Sequence, residues 1–107
     1  MNRERLLKRF LEYVRIESTA NDGTEVYPSS PGQLELGRLL VRQLHEIGLA
    51  NATQDDNGIV LATVPGNLGR AAPVVAFNAH LDTSPETSAA SVRPQVNSNV
   101  RPHMQWF

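Results

Sequence analysis

An α/β layered fold follows from three features of the sequence. Two amphipathic helical stretches lie in the first half. An Asn57-Gly58 step then joins two extended runs, and an unbroken apolar run, Pro73-Val74-Val75-Ala76-Phe77, closes the ordered pattern. A run with no polar alternation reads as a strand buried on both faces, and such strands belong mostly to sheets covered by helices. Helix, helix, hairpin and buried strand together predict α/β layers.

The first helix is read from Leu6, Leu7, Phe10, Leu11 and Val14, whose spacing keeps them on one side of a 3.6-residue repeat. Arg5, Lys8, Arg9 and Glu12 fall largely on the other side. From Ser18 to Ser30, Asn21-Asp22-Gly23 and Pro28 are loop chemistry. The second helix has a marked start: Ser30 is placed to cap, Pro31 sits at the first helical position, and Gln33 can complete a Ser-x-x-Gln capping box. Leu36, Leu40, Leu44 and Ile47 form its apolar stripe with Val41 beside it, and Gly48 is placed to end it. Residues 50–54 are a first strand. Asn57-Gly58 predicts a two-residue turn with positive φ at both positions, and Ile59 to Val64 returns. Residues 1–86 thus form one folded part. From Thr87 to Phe107 there is no Asp, Glu or Lys and no defensible period, so 87–107 is expected to be a poorly ordered or aberrant tail.

Composition narrows the function classes. The 107 residues carry ten Lys+Arg against eleven Asp+Glu, a formal charge of −1, which argues against a nucleic-acid module. The arginines and the lysine before residue 40 have acids among them and read as a solvated helix surface. Cysteine is absent, which excludes disulfides, thiolate zinc sites and a Cys nucleophile. No apolar stretch approaches the roughly 20 residues that span a bilayer. The start of the chain lacks a signal-peptide core, so a cytoplasmic protein with no membrane partner is expected.

One constellation carries chemistry. Asn78-Ala79-His80-Leu81-Asp82-Thr83-Ser84-Pro85-Glu86 follows the apolar run directly, and ligands gather beyond the carboxyl ends of strands in open α/β sheets. Residues two apart in an extended chain point to the same side. An imidazole at His80 can therefore hold a metal while the carboxylate of Asp82 orients it, a donor pair suited to Zn²⁺. The simpler reading is a strand-end histidine hydrogen-bonded to Asp82, with Thr83-Ser84-Pro85 forming a turn. His45 reads as a helix-terminus residue, Asp55 and Asp56 as turn formers, and His103 as no ligand.

The run from Ala79 to Glu86 closely resembles the first metal-site motif of the M20 zinc-peptidase family, in its tripeptide-aminopeptidase branch. Arg5 to Val14 resembles the opening helix of that family, and Pro28-Ser29-Ser30-Pro31-Gly32-Gln33 the cap of its second helix. His45 to Leu49 with Ala52-Thr53 resembles the hairpin approach, and Val92 to Val96 the segment after the motif. The resemblance implies that the chain is the N-terminal part of a three-layer zinc-peptidase domain. It implies His80 as a ligand of one of two zinc ions and Asp82 as the active-site carboxylate supporting it. It also implies a tripeptide substrate, with release of the N-terminal residue.

The pattern is incomplete. After Glu86 there is no Asp or Glu, so the bridging aspartate, the glutamate base and the remaining acidic ligands of the family are missing. The chain reads as an N-terminal fragment, inactive alone. Two alternatives stay open: a non-catalytic α/β binding module that covers its open sheet edges by homo-oligomerisation, and a fragment of another M20 deacylase or dipeptidase.

Overall fold

A computed structural model of the chain describes residues 2–97. Helix α1 spans Arg3–Tyr13 and starts on Asn2, whose side-chain Oδ1 accepts from the Arg5 N–H at 3.0 Å. Its apolar side is only partly covered, at Leu11 and Val14. Leu6, Leu7 and Phe10 are exposed and no α1 residue is buried. The helix is held instead by polar bonds at its end: the Tyr13 hydroxyl donates to Gln43 Oε1, and Gln43 Nε2 donates to Glu12 at 2.7 Å.

Helix α2 spans Pro31–Glu46. Ser30 has the extended backbone of a cap and Pro31 takes the first helical position, as expected, but the capping box does not form. The Ser30 side chain makes no capping bond, and its Oγ is buried without a partner. Gln33 lies on the buried side of the helix, where its amide donates to Ser29 Oγ at 3.1 Å instead of reaching back. The other end is a Schellman motif. Gly48, at φ 95°, donates to the His45 carbonyl and Leu49 donates to that of Leu44, satisfying two carbonyls of the last turn.

The hairpin consists of β1, Thr53–Gln54, paired antiparallel with β2, Val60–Leu61, in the register Thr53↔Leu61 and Gln54↔Val60. Both strands are shorter than expected. Asn51 extends the pairing with its side chain: its amide donates to the Thr63 carbonyl at 2.8 Å and accepts from the Thr63 N–H at 3.1 Å. The turn also differs from expectation, because Gly58 (φ 84°) has positive φ and Asn57 does not. Asp55 explains the difference. Its carboxylate accepts from the N–H groups of Asn57 and Ile59, which stabilises a longer loop ending in a left-handed glycine.

The core lies where α2 meets this hairpin. Leu36 and Ala52 are buried there. Close approach depends on Gly37, since a Cβ at that position would lie 2.0 Å from Gln54 Nε2. The result is a mixed α/β fold of two helices and a two-stranded sheet. The expected buried strand is absent: residues 74–77 form no strand, and Val74 and Phe77 are 94% and 95% exposed. A central strand needs a neighbour on each side, and among the described residues the sheet ends at β2. Residues 87–97 contain a turn at Ala90–Ser91 and no helix or strand, while residues 98–107 of the expected tail, His103 included, lie outside the described residues.

Candidate functional site

The His80–Asp82 motif is placed by a contact that loop composition did not reveal. Thr83 donates its N–H to the Ser18 carbonyl at 3.2 Å and accepts from the Ala20 N–H at 3.0 Å, forming an isolated parallel bridge with Thr19. Ser18 is 3% exposed at this junction. Gly32 packs against the same segment so tightly that a Cβ there would lie 1.7 Å from the Glu17 carbonyl oxygen. Residues 17–20 therefore tie the motif to the start of α2. The turn expected at Thr83-Ser84-Pro85 is shifted to Pro85–Glu86, because Thr83 is taken up in the bridge, and Ser84 Oγ accepts from the Glu86 N–H.

Within the motif, His80 Nδ1 lies 2.8 Å from the backbone carbonyl of Asp82 and 3.2 Å from its Oδ1. A carbonyl only accepts, so Nδ1 carries the proton in this bond and the Nε2 lone pair is left for another partner. That is the tautomer in which a second group orients a metal-binding imidazole. Both side chains are open to solvent, His80 more than Asp82. They border a groove of about 370 Å³ whose other walls include Tyr27, Gln33, Asn57 and Phe77.

The donor types suit zinc, whereas their number falls short. A hydrolytic zinc centre uses about three protein ligands, and among the described residues no group of three His, Cys, Asp or Glu side chains converges on one point. Asp55 is engaged in its turn. His45 bonds through Nε2 to the Ala52 carbonyl at 2.9 Å. Sequence reading gave Gln33 only a capping role and missed Gln43, and both are buried on α2. Their signal was present, since Gln43 stands seven residues after Leu36 and so on the same helix face.

Comparison with known proteins finds the sequence of the chain similar to proteins named Peptidase T. No family model matches the chain. Over 97 residues, 91% of its length, it is 44% identical to Peptidase T of Bacillus thuringiensis (strain Al Hakam). Identity and coverage are the same for Peptidase T of Bacillus anthracis (strain A0248) and of Bacillus cereus (strain Q1). The chain is thus homologous to Peptidase T along nearly all of its length, but spans only 24% of those relatives. Among the described residues, no helix is long and apolar enough to cross a membrane.

Proposed function

We propose that this chain is the N-terminal segment of a zinc-dependent tripeptide aminopeptidase of the M20 type and supplies its first metal-site motif. His80 is the zinc ligand through Nε2, and Asp82 is the carboxylate that fixes its ring. The observation that carries the reading is the 44% identity to Peptidase T across 97 residues that include a His-x-Asp pair with the ligating nitrogen left free. Zinc at this position would polarise a scissile carbonyl and acidify a bound water. The chain's own part is narrower: it orients one imidazole and keeps Asp82 beside it at the rim of the groove. Asp82 is committed to that imidazole and no group of three His, Cys, Asp or Glu side chains forms around it among the described residues, so the segment alone binds zinc weakly and hydrolyses no tripeptide. The protein works in the cytoplasm on small peptides, without nucleic acid or membrane.

Two experiments test this. Calorimetry with Zn²⁺ and a tripeptide-release assay on the chain itself are expected to give weak binding and no turnover. Tight stoichiometric binding, or turnover lost in His80→Ala, would overturn the claim of inactivity. A chimera in which this chain replaces the matched span of Bacillus cereus Peptidase T is expected to release amino acids from tripeptides. His80→Ala in that chimera abolishes release, and Asp82→Asn lowers zinc affinity by about 10–100-fold. Preference for N-acyl amino acids would sink the tripeptide reading in favour of a deacylase.

A further inference from the structure

The His80 ring is not held by packing. Its side chain is 83% exposed, whereas Ser18, across the bridge from the motif, is 3% exposed. Hydrogen bonding is what orients the imidazole. Nδ1 lies 2.8 Å from the Asp82 carbonyl and 3.2 Å from Asp82 Oδ1, so the main-chain oxygen is the nearer acceptor and the carboxylate a second, longer hold. That oxygen belongs to the peptide group between Asp82 and Thr83, whose N–H donates to the Ser18 carbonyl at 3.2 Å. The group is planar and trans, with its C=O and N–H pointing in opposite directions. Ser18 on one side thus fixes where the oxygen points on the other. Hydrogen bonds in such a chain polarise one another, so the bond to Ser18 also makes the Asp82 carbonyl a better acceptor. The Thr83 carbonyl, held by the Ala20 N–H at 3.0 Å, anchors the next peptide plane.

We propose that the Asp82–Thr83 peptide group, set by the carbonyl of the buried Ser18, positions the His80 imidazole and selects its tautomer. Neutral imidazole in water favours the proton on Nε2, and a hydrogen bond at the other nitrogen decides otherwise. Here the peptide oxygen holds the proton on Nδ1 and leaves Nε2 as a lone pair. Ser18 and Thr83 are positioning residues that act through their backbones. Gly32 acts behind them, because its lack of a Cβ lets helix α2 close on Glu17 and Ser18. The use of the freed nitrogen for zinc rests on the peptidase reading, whereas the hold on the ring does not.

Two-bond proton–nitrogen NMR spectra of the zinc-free chain, in alkaline buffer where imidazole is neutral, read the tautomer directly. His80→Gln identifies the ring signals among the three histidines. The wild-type ring is expected to carry its proton mainly on Nδ1. A scalar coupling across the hydrogen bond is expected between the Thr83 nitrogen and the Ser18 carbonyl carbon. Thr83→Val keeps the N–H and Asp82→Ala keeps the peptide oxygen, so both are expected to keep that tautomer. Thr83→Pro removes the N–H, and the proton is expected to move mainly to Nε2. Helical circular dichroism should not change, because Thr83 is exposed and bonds to neither helix. A wild-type ring protonated mainly on Nε2, or no coupling to Ser18, overturns the proposal. So does a Thr83→Pro ring that stays on the Nδ1–H form, or an Asp82→Ala ring that leaves it, since the carboxylate would then be the sole hold. None of these measurements involves zinc, so they can fail while His80→Ala still abolishes turnover in the chimera, and the converse holds.

Discussion

Residues 31–61 and residues 62–82 have similar apolar content and opposite fates. In the first region α2 closes over the hairpin: Gly37 admits Gln54, the Gln54 amide donates to the Leu34 carbonyl, and Leu36 and Ala52 are buried. In the second, Val64, Leu68, Val74, Val75 and Phe77 are all exposed. The difference lies in where the partners are. The apolar face of α2 finds its cover within about twenty residues, at low loop-closure cost. A strand of the Val74–Phe77 type needs neighbours in a wider sheet, and β2 is the last strand among the described residues. Burial is decided by available partners rather than by hydrophobicity.

Glycine substitutions break this comparison most sharply. Gly32→Ala puts a methyl group 1.7 Å from the Glu17 carbonyl oxygen, a backbone atom that cannot swing aside. A forced shift of helix α2 away from residues 17–20 is expected to cost at least about 3 kcal/mol. Thermal unfolding followed by circular dichroism measures it, and loss of protection at the Thr83 amide in hydrogen exchange localises it. A wild-type melt for Gly32→Ala would mean that the clamp on the His80 motif is absent.

A smaller effect is expected in the turn. Asp55→Ala removes the acceptor for the Asn57 and Ile59 N–H groups, and should lower stability by about 1 kcal/mol. The amides of Asn57 and Ile59 should exchange faster while those in the middle of α2 do not. Equal acceleration in both would show that turn and helix unfold as one unit.

The division between the regions also explains what was legible in the sequence. Local signals were read well where local contacts satisfy them. Pro31 and Gly48 bound α2 to within two residues, because a helix start and a Schellman stop depend on neighbours only a few positions away. The turn was placed correctly and its type missed, since the Asp55 carboxylate outweighed the Asn-Gly preference. The His80–Asp82 pair was visible from its spacing. Its docking through Thr83 onto Ser18 and Ala20 was not, because a single bridge across more than sixty residues leaves no periodic trace. The apolar run was read as a buried strand and forms none, because composition alone cannot supply the neighbouring strands that would order and bury it.

The junction of α1 with α2 gives a pH test. Burial raises the Tyr13 phenol above its ordinary value near 10.0, with Arg9 opposing the shift and Glu12 adding to it. A group whose folded value is raised contributes stability below its unfolded value and loses it as pH rises through the folded one. Stability is therefore expected to be flat up to the ordinary phenol range and to fall above it. Tyr13→Phe should remove this alkaline fall at a cost of about 1 kcal/mol at neutral pH, since it leaves Gln43 Oε1 without its donor. An unchanged alkaline limb in Tyr13→Phe would move the cause elsewhere.

The smallest expected effect lies in the open region and completes the comparison. Gly66 has nothing within 4 Å of where a Cβ would be, and it is not among the positive-φ residues. Alanine there meets no atom and strains no backbone. It also narrows the conformations of the unfolded chain, an effect that is stabilising by about 0.4–1 kcal/mol where the native backbone is rigid. Residues 62–69 are exposed and lie outside helix and strand, so the folded state keeps much of the same freedom and most of that gain cancels. Gly66→Ala is therefore expected to change stability by less than about 0.5 kcal/mol. The same one-carbon substitution would then span the range from disruptive at Gly32 to silent at Gly66. Parallel melts of the two variants check this directly, and a loss at Gly66 comparable to that at Gly32 would mean that residues 62–69 pack against something in solution.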